Sequence, residues 1–129
     1  MNNPMTLEGR TLIVTGAGQG IGLAIARLAI EQGANVAAVD LNGEALNAAA
    51  EEFGGRYLPL AGSVADAQFA QAAVEQAVAH FGAVQGLVNN AGIGRPAMIE
   101  KMTMDQWQQV LDIHLTGSFL FTQAVGQHM

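Results

Sequence analysis

A glycine-rich turn at residues 15–22, which reads TGAGQGIG, constrains this chain more than any other stretch. It follows the apolar run TLIV at residues 11–14, which is typical of a buried parallel strand, and leads into a helix-like segment at residues 21–32. Glycine permits positive φ and leaves no Cβ in the way of a ligand. A helix that begins in such a turn directs free N–H groups and the positive end of its dipole at an anion. The turn therefore predicts a phosphate site, although a plain strand-to-helix turn has the same composition.

The spacing of these glycines excludes two common phosphate-binding motifs. The pattern G-x-G-x-x-G would need glycine at position 21 or 23, where Ile21 and Leu23 stand. A Walker loop needs a lysine directly after the glycines, and the only lysine of the sequence is Lys101. The pattern that fits is T-G-x-x-x-G-I-G.

Strand-like and helix-like segments alternate along the whole chain. Strands are predicted at residues 10–15, 35–40, 56–60 and 86–89, and a helix follows each of them. Half of the residues are hydrophobic and 12% are charged, which suits a sheet covered on both faces. Right-handed crossovers then give an α/β fold, a doubly wound parallel sheet of the Rossmann type whose strand order begins 3-2-1-4. We expect one domain over residues 1–129, incomplete as given, because such a sheet normally continues past its fourth strand.

Apolar spacing assigns a face to each helix. Asp66 and Thr103 are the predicted N-caps of the third and last helices. The last helix is expected to present an apolar face to whatever covers it, which favours association. The residues expected to point inward from the first helix are Ile21, Ile25, Leu28 and Ala29. The residues expected on the apolar face of the last helix are Leu111, Leu115, Phe119, Leu120 and Phe121.

The turn at residues 15–22 and the stretch Asn-Asn-Ala-Gly at residues 89–92 together resemble two motifs of the short-chain dehydrogenase/reductase family, and the resemblance covers essentially the whole chain. It implies the cofactor-binding, N-terminal half of an oxidoreductase that passes a hydride between C4 of nicotinamide and a secondary alcohol or ketone. The glycine turn would hold the diphosphate, and residues 90–92 would line the nicotinamide side. The implied cofactor-binding residues are Gly16, Gln19, Gly20, Ile21, Gly22, Asp40, Leu41, Ser63, Val64, Asn90, Ala91 and Gly92.

An acidic residue, Asp40, ends the second predicted strand. A carboxylate at this place can accept both hydroxyls of an adenosine ribose, and it repels a 2′-phosphate. Neither Gln19 nor Leu41 is basic, so nothing beside it would neutralise that phosphate. NAD is therefore favoured over NADP. The alternative is a turn or N-cap aspartate, because residues 40–43, which read DLNG, are also good turn sequence.

Two positions depart from the family pattern. Ser63 stands where the family usually has an aspartate that hydrogen-bonds the adenine amine, which leaves Val64 and the backbone to contact the ring. His114 stands where the family usually has an asparagine that helps to hold a proton-relaying water. An imidazole can also orient a water, so His114 is the candidate catalytic residue, against the alternative of a packed helix histidine.

The family's catalytic tyrosine, lysine and serine lie outside this sequence. The one tyrosine, Tyr57, is followed by LPLA at residues 58–61, without a lysine, and Ser118 is interpreted as a packing residue. Three interpretations stay open: part of an NAD-dependent oxidoreductase, a non-catalytic NAD-binding module or sensor, and an inactive truncated product. The expected partners are a small-molecule alcohol or ketone and further copies of the chain, joined through the last helix.

Composition narrows the class of protein further. The net charge of −6 argues against a nucleic-acid surface. The sequence has no cysteine, and its histidines are not paired as ligands, so no metal site is expected. No run of about 18 apolar residues is present, so no membrane span is expected. Residues 1–5 lack the features of a signal peptide, and a cytoplasmic location is expected.

Overall fold

The computed structural model describes residues 6–92 and 101–129, and within them strands and helices alternate. The strands are β1 (Thr11–Thr15), β2 (Asn35–Asp40), β3 (Tyr57–Ala61) and β4 (Gly86–Val88). The helices are α1 (Gly20–Glu31), α2 (Gly43–Phe53), α3 (Ala67–Phe81), α4 (Met104–Leu111) and α5 (Gly117–Gly126). A 3-10 turn (Gly54–Arg56) precedes β3, and a π-helical segment (Asp112–Thr116) joins α4 to α5. Residues 1–5, for which no signal peptide is expected, lie outside the described residues.

The four strands form one parallel sheet in the order β3-β2-β1-β4, which confirms the predicted fold. In the register of the sheet, Ile13 of β1 lies between Ala37 of β2 and Leu87 of β4. Because all strands run the same way, the carboxyl ends of β1, β2, β3 and β4 meet at one edge. The residues that follow those ends are therefore brought together.

Both faces of the sheet are covered, as the apolar strands predict. One core joins Ile13, Ala37 and Val39 to side chains of α3 and α5, among them Val74 and Phe121. The second core, on the opposite face, joins alternate strand residues to side chains of α1 and α2. Its fully buried members include Val14, Val36, Ala38, Ala26 and Leu46.

Of the four α1 residues predicted to point inward, two are exposed, so the prediction is wrong for Ile21 and Leu28. Ile21 is 73% exposed and Leu28 is 57% exposed, whereas Gly22, Ala26 and Ala29 are buried. These three follow the spacing i, i+4, i+7 of one helix face. Small residues occupy it because the helix lies close to the chain beneath: a Cβ at position 22 would collide with the carbonyl oxygen of Gly16.

The last helix differs from its prediction in a similar way. Thr103 caps α4 with a complete capping box that involves Gln106, as predicted from its position. Leu115 and Phe119 are exposed, at 65% and 60%, but Phe121 is fully buried and lies edge-on to Phe69 of α3, with 6.3 Å between ring centroids. Successive helical residues are turned by roughly 100° from one another, so residues 119–121 could not share one face.

Candidate functional site

An open cavity of about 420 Å³ lies at the carboxyl ends of the strands. This volume is within the range of small-molecule and cofactor sites. Its walls come from the loops after β1, β2, β3 and β4 and from the π-helical segment. The residues that line it are Gly16, Gln19, Gly20, Ile21, Asp40, Leu41, Gly62, Val64, Asn90, Ala91, Gly92 and Ile113. Ten of the twelve implied cofactor-binding residues are among these, and the other two, Gly22 and Ser63, are not.

The glycine turn has the backbone that its sequence predicts. Gly16 and Gly20 have φ of +67° and +59°, in a backbone region that residues other than glycine rarely adopt. Gln19 precedes α1 in an extended conformation and makes no side-chain capping bond. The first N–H groups of a helix have no partner within it. The start of α1 is therefore a place where backbone donors can meet an anion.

The hydroxyl of Thr15 joins this turn to the loop after β4. It accepts hydrogen bonds from the backbone N–H groups of Asn90 and Ala91, each at 3.0 Å, and donates to the carbonyl of Val88 at 3.4 Å. The Asn90 side-chain amide donates to the carbonyl of Gly16 at 3.3 Å. The two segments are so close that a Cβ on Gly16 would lie 2.8 Å from Ala91 Cα. Thr15 is the first residue of the pattern T-G-x-x-x-G-I-G, but its hydroxyl was not predicted to join the two loops.

Asp40 lines the cavity, and two backbone N–H groups hold its carboxylate. Oδ2 accepts the backbone N–H of Gly18 and Oδ1 that of Asn42, both at 2.9 Å. Asn42 is the residue that caps α2, through a bond from Ala45 N at 3.0 Å, so the N-cap interpretation of Asp40 is wrong. The bond from Asn42 N is a turn contact, and binding of a ribose by the same carboxylate stays a prediction. An ionised carboxylate oxygen can accept more than one hydrogen bond, so each can still accept a hydroxyl.

The loop after β3 presents backbone and apolar surface to the cavity. The Ser63 hydroxyl accepts from Ala65 N at 3.2 Å within its own loop. Val64, only 6% exposed, packs so closely on α5 that a Cβ on Gly117 would lie 2.6 Å from Val64 Cγ2. Gly62 lines the cavity, although the sequence did not single it out. The wall on this side is thus formed by Gly62 and Val64.

A further part of the cavity wall is formed at the π-helical segment. The ring of His114 lies against the Asn-Asn-Ala-Gly turn: a Cβ on Gly92 would be 2.5 Å from Cε1 and 3.1 Å from Nε2. The His114 carbonyl accepts the Ser118 hydroxyl at 2.7 Å. Its neighbour Ile113 lines the cavity. Sequence periodicity missed Ile113 because it assumes a regular helix, whereas π-helical turns change which side chains face inward.

Tyr57 lies outside the cavity lining, on the face of the sheet covered by α1 and α2. It is 4% exposed, and its hydroxyl has no hydrogen-bond partner among the residues that the structure describes. Burial, together with the negative charge of Asp40, raises the pKa of Tyr57 to about 12. A hydroxyl in this position is a poor proton donor for chemistry in the cavity.

In residues 6–92 and 101–129, no helix has the length and apolar character that crossing a membrane requires. No group of three or more histidine, aspartate or glutamate side chains comes together there in a way that could hold a metal ion.

Comparisons with known proteins agree on one family. The family model described as short chain dehydrogenase matches residues 10–129. D-threitol dehydrogenase of Mycolicibacterium smegmatis is 44% identical over 126 residues, which cover 95% of this chain and 48% of that protein. The 3-oxoacyl-[acyl-carrier-protein] reductase of Thermotoga maritima is 38% identical over 128 residues, which cover 97% and 52%. The chain thus spans about half the length of these relatives.

Solved structures give the same result. The crystal structure of a 3-ketoacyl-(acyl-carrier-protein) reductase from Brucella melitensis, complexed with NADH, is 34% identical, with a TM-score of 0.92 over 95% of this chain and 51% of that one. A short-chain dehydrogenase/reductase of the glucose/ribitol dehydrogenase type from the same organism is also 34% identical, with a TM-score of 0.91.

Proposed function

This chain belongs to the short-chain dehydrogenase family, and from that premise we propose that it carries the NAD site of an oxidoreductase acting between a secondary alcohol and a ketone. The observation that carries the proposal is the Asp40 carboxylate, oriented toward the cavity by the N–H groups of Gly18 and Asn42. Bound NAD supplies or accepts the hydride. The relative solved with NADH supports a nicotinamide cofactor.

The residues of the cavity divide into four parts in this proposal. The start of α1, at residues 20–22, binds the diphosphate through backbone N–H groups. Asp40 accepts the adenosine ribose hydroxyls, and Leu41 and Val64 enclose the adenine. Residues 90–92 line the nicotinamide side, where His114 holds a water beside Gly92. A ligand that passes close to the backbone fits Gly20, where an added Cβ would have no atom of the chain within 4 Å, whereas Gly16 and Gly22 let the turn pack against the loop after β4.

Charge is the reason for proposing NAD rather than NADP. A 2′-phosphate beside Asp40 would place like charges within a few ångströms, which costs about 4 kcal/mol at 4 Å for an effective dielectric constant of 20. Gln19 and Leu41, which line the cavity beside Asp40, carry no positive charge to compensate. Discrimination against a 2′-phosphate is therefore proposed to come from repulsion.

The partners of the whole protein are proposals too. We propose a small-molecule alcohol or ketone as substrate and a homo-oligomer that forms through the last helix. The second of these rests on a row of exposed apolar side chains along α4, the π-helical segment and α5. Its members and their exposures are Met104 at 76%, Trp107 at 48%, Leu115 at 65% and Phe119 at 60%. A cytoplasmic location stays a prediction.

Titration of the chain with NADH and NADPH, followed by cofactor fluorescence, tests the site. We expect NADH to bind more tightly than NADPH. Asp40→Ala should weaken NADH at least about tenfold, because charged hydrogen bonds are worth about 1.5–3 kcal/mol, and should strengthen NADPH because the repulsion of its 2′-phosphate is removed. Glu51→Ala, which removes an exposed carboxylate of α2 outside the cavity lining, is the matched control. Failure of the chain to bind either cofactor, or equal affinity for both, would contradict the proposal.

A further inference from the structure

We propose that Gly18 is a positioning residue: because it has no side chain, it sets where the Asp40 carboxylate stands and so controls the choice between a free 2′-hydroxyl and a 2′-phosphate. The inference rests on the NAD site proposed above and extends it to a residue outside the implied cofactor-binding set. Gly18 is the one glycine of the turn at residues 16, 18, 20 and 22 that falls at a variable position of T-G-x-x-x-G-I-G.

The first observation is a hydrogen bond between two loops. Gly18 N donates to Asp40 Oδ2 at 2.9 Å, across the gap between the loop after β1 and the loop after β2. The other oxygen, Oδ1, accepts from Asn42 N in its own loop, also at 2.9 Å. The carboxylate is therefore oriented jointly by the turn proposed to bind the diphosphate and by the loop that carries the acid itself.

The second observation is the lack of space for a side chain at position 18. A Cβ there would lie 2.9 Å from Asp40 Oδ2 and 3.0 Å from Asp40 Cγ, and 3.4 Å from the Cβ of Ala45 on the first turn of α2. Contacts of 2.9–3.0 Å are too short for carbon, so the Asp40 side chain must move, whereas 3.4 Å to Ala45 is ordinary contact. The atom that yields is the end of a flexible side chain.

The backbone of Gly18 does not itself require glycine. Among the described residues, the glycines with positive φ include Gly16 and Gly20 of the same turn, but not Gly18. An alanine at position 18 is thus free of the conformational strain expected at those neighbours. The substitution keeps the N–H donor and adds one methyl group against the acid. Gly18→Ala should therefore alter the site by displacing the Asp40 side chain.

Displacing the carboxylate has opposite consequences for the two cofactors. A ribose with two free hydroxyls loses a well-placed acceptor, which weakens its binding. A ribose with a 2′-phosphate meets less repulsion, because the negative charge is moved from the place that the phosphate would occupy. The ratio of the two affinities, rather than either affinity alone, reports the position of the acid.

Gly18→Ala tests the inference by titration of the chain with NADH and with NADPH. We expect the NADH affinity to fall about tenfold and the NADPH affinity to stay within about threefold of its original value, so that the preference narrows about tenfold. Gly55→Ala is the matched control, because Gly55 has non-positive φ and no atom within 4 Å of an added Cβ. A parallel loss of both cofactors would overturn the inference, since a damaged diphosphate turn predicts that result.

The same substitution in an Asp40→Ala background distinguishes a displaced Asp40 carboxylate from a damaged diphosphate turn, by a double-mutant cycle. With the carboxylate absent, the added methyl group meets no acid, and Gly18→Ala should change the NADH affinity by less than about twofold. An equal loss in both backgrounds would overturn the inference. If the unaltered chain binds neither cofactor, the proposed function itself fails; if it binds NADH and Gly18→Ala leaves the preference unchanged, only the role of Gly18 fails.

Discussion

At the scale of single residues, the hydroxyl of Thr15 has an effect out of proportion to its size. It is 1% exposed and bonds three backbone groups, all in the loop that follows β4 or at the end of that strand. Buried polar groups are costly unless they are paired, and here one hydroxyl accepts from two N–H groups, of which that of Asn90 also donates to the Val88 carbonyl at 3.1 Å. The glycine turn and the Asn-Asn-Ala-Gly turn are held in register by this side chain.

Thr15→Val should destabilise the chain by about 1–3 kcal/mol, because it keeps the shape of the side chain but leaves the Ala91 N–H without its acceptor, while the Asn90 N–H keeps the Val88 carbonyl at 3.1 Å. Thr15→Ser keeps the hydroxyl and serves as the matched control. Urea unfolding measures the free energy, and NADH titration of the same variants shows whether the cavity loosens. A valine variant as stable as the original chain would mean that the hydroxyl does not hold the loop.

Tyr57 predicts a specific dependence of stability on alkaline pH. Its pKa is about 12 in the folded chain against about 10 when unfolded. Below about pH 10 the side chain is protonated in both states; between about pH 10 and 12 only the unfolded state loses its proton, so stability falls by about 1.4 kcal/mol per pH unit. Tyr57→Phe should remove that part of the decline, and it should not destabilise the chain near neutral pH because the hydroxyl has no partner among the described residues.

Ultraviolet absorbance of tyrosinate gives the titration directly, since Tyr57 is the only tyrosine of the sequence. Urea unfolding of both forms at neutral and at alkaline pH gives the free energies. A titration midpoint near the ordinary tyrosine value of about 10, or the same alkaline loss of stability in Tyr57→Phe, would show that the hydroxyl reaches water.

At the scale of helices and strands, the sequence predicts what local chemistry decides. All four strands lie within one residue of their expected bounds, and the side chain of Asp66 accepts from Gln68 and Phe69 at the start of α3, as a cap should. The inner face of α1 could not be predicted from apolar spacing, because the close approach of Gly22 to Gly16 selects small residues over large ones. Ile113 was missed for a different reason, the π-helical segment, whose extra residue per turn has no signature in the spacing.

For the candidate site, the sequence predicts which loops come together but not how their side chains are oriented. The glycine turn, Asp40 and the turn at residues 90–92 meet because parallel strands end at one edge, which the strand order requires. The role of Gly18 could not be predicted from the sequence, since it depends on where the Asp40 side chain points. The orientation of the Ser63 hydroxyl toward Ala65 likewise depends on a loop conformation that spacing does not encode.

The capping box of α4 should contribute measurably to the stability of the last helix. In it, the Thr103 hydroxyl accepts from Gln106 N at 3.1 Å, and the Gln106 side chain accepts from Thr103 N at 3.0 Å. Thr103→Ala should cost about 1 kcal/mol. Thr116→Ala, at an exposed position of the π-helical segment, is the control and should be neutral or slightly stabilising. Thermal unfolding followed by circular dichroism measures both, and equal effects would show that the cap is not formed in solution.

At the scale of the whole molecule, exposed apolar side chains on the last helix predict self-association. Leu115 and Phe119 are separated by one helical turn, and both are more than half exposed. Contiguous apolar surface of this kind marks an interface. The chain should therefore be oligomeric or poorly soluble.

Leu115→Asp combined with Phe119→Asp should shift the chain toward monomer, because the charges would have to be buried in the interface. Gln123→Asp, on an exposed position of the same helix, is the control for added charge. Sedimentation velocity over a range of concentrations measures the distribution. If the unaltered chain is a clean monomer, this surface is not an interface between copies.

The two backbone bonds to the Asp40 carboxylate have a thermodynamic consequence for ligand recognition. Immobilising a side chain at a binding site ordinarily opposes association by about 0.5–1.5 kcal/mol. Here the rotamer of the acid is selected when the chain folds, so an arriving nucleoside encounters an acceptor that is already aimed. The Asp40 carboxylate is therefore preorganised for recognition, and ordering of its side chain should contribute little to the entropy of ligand binding.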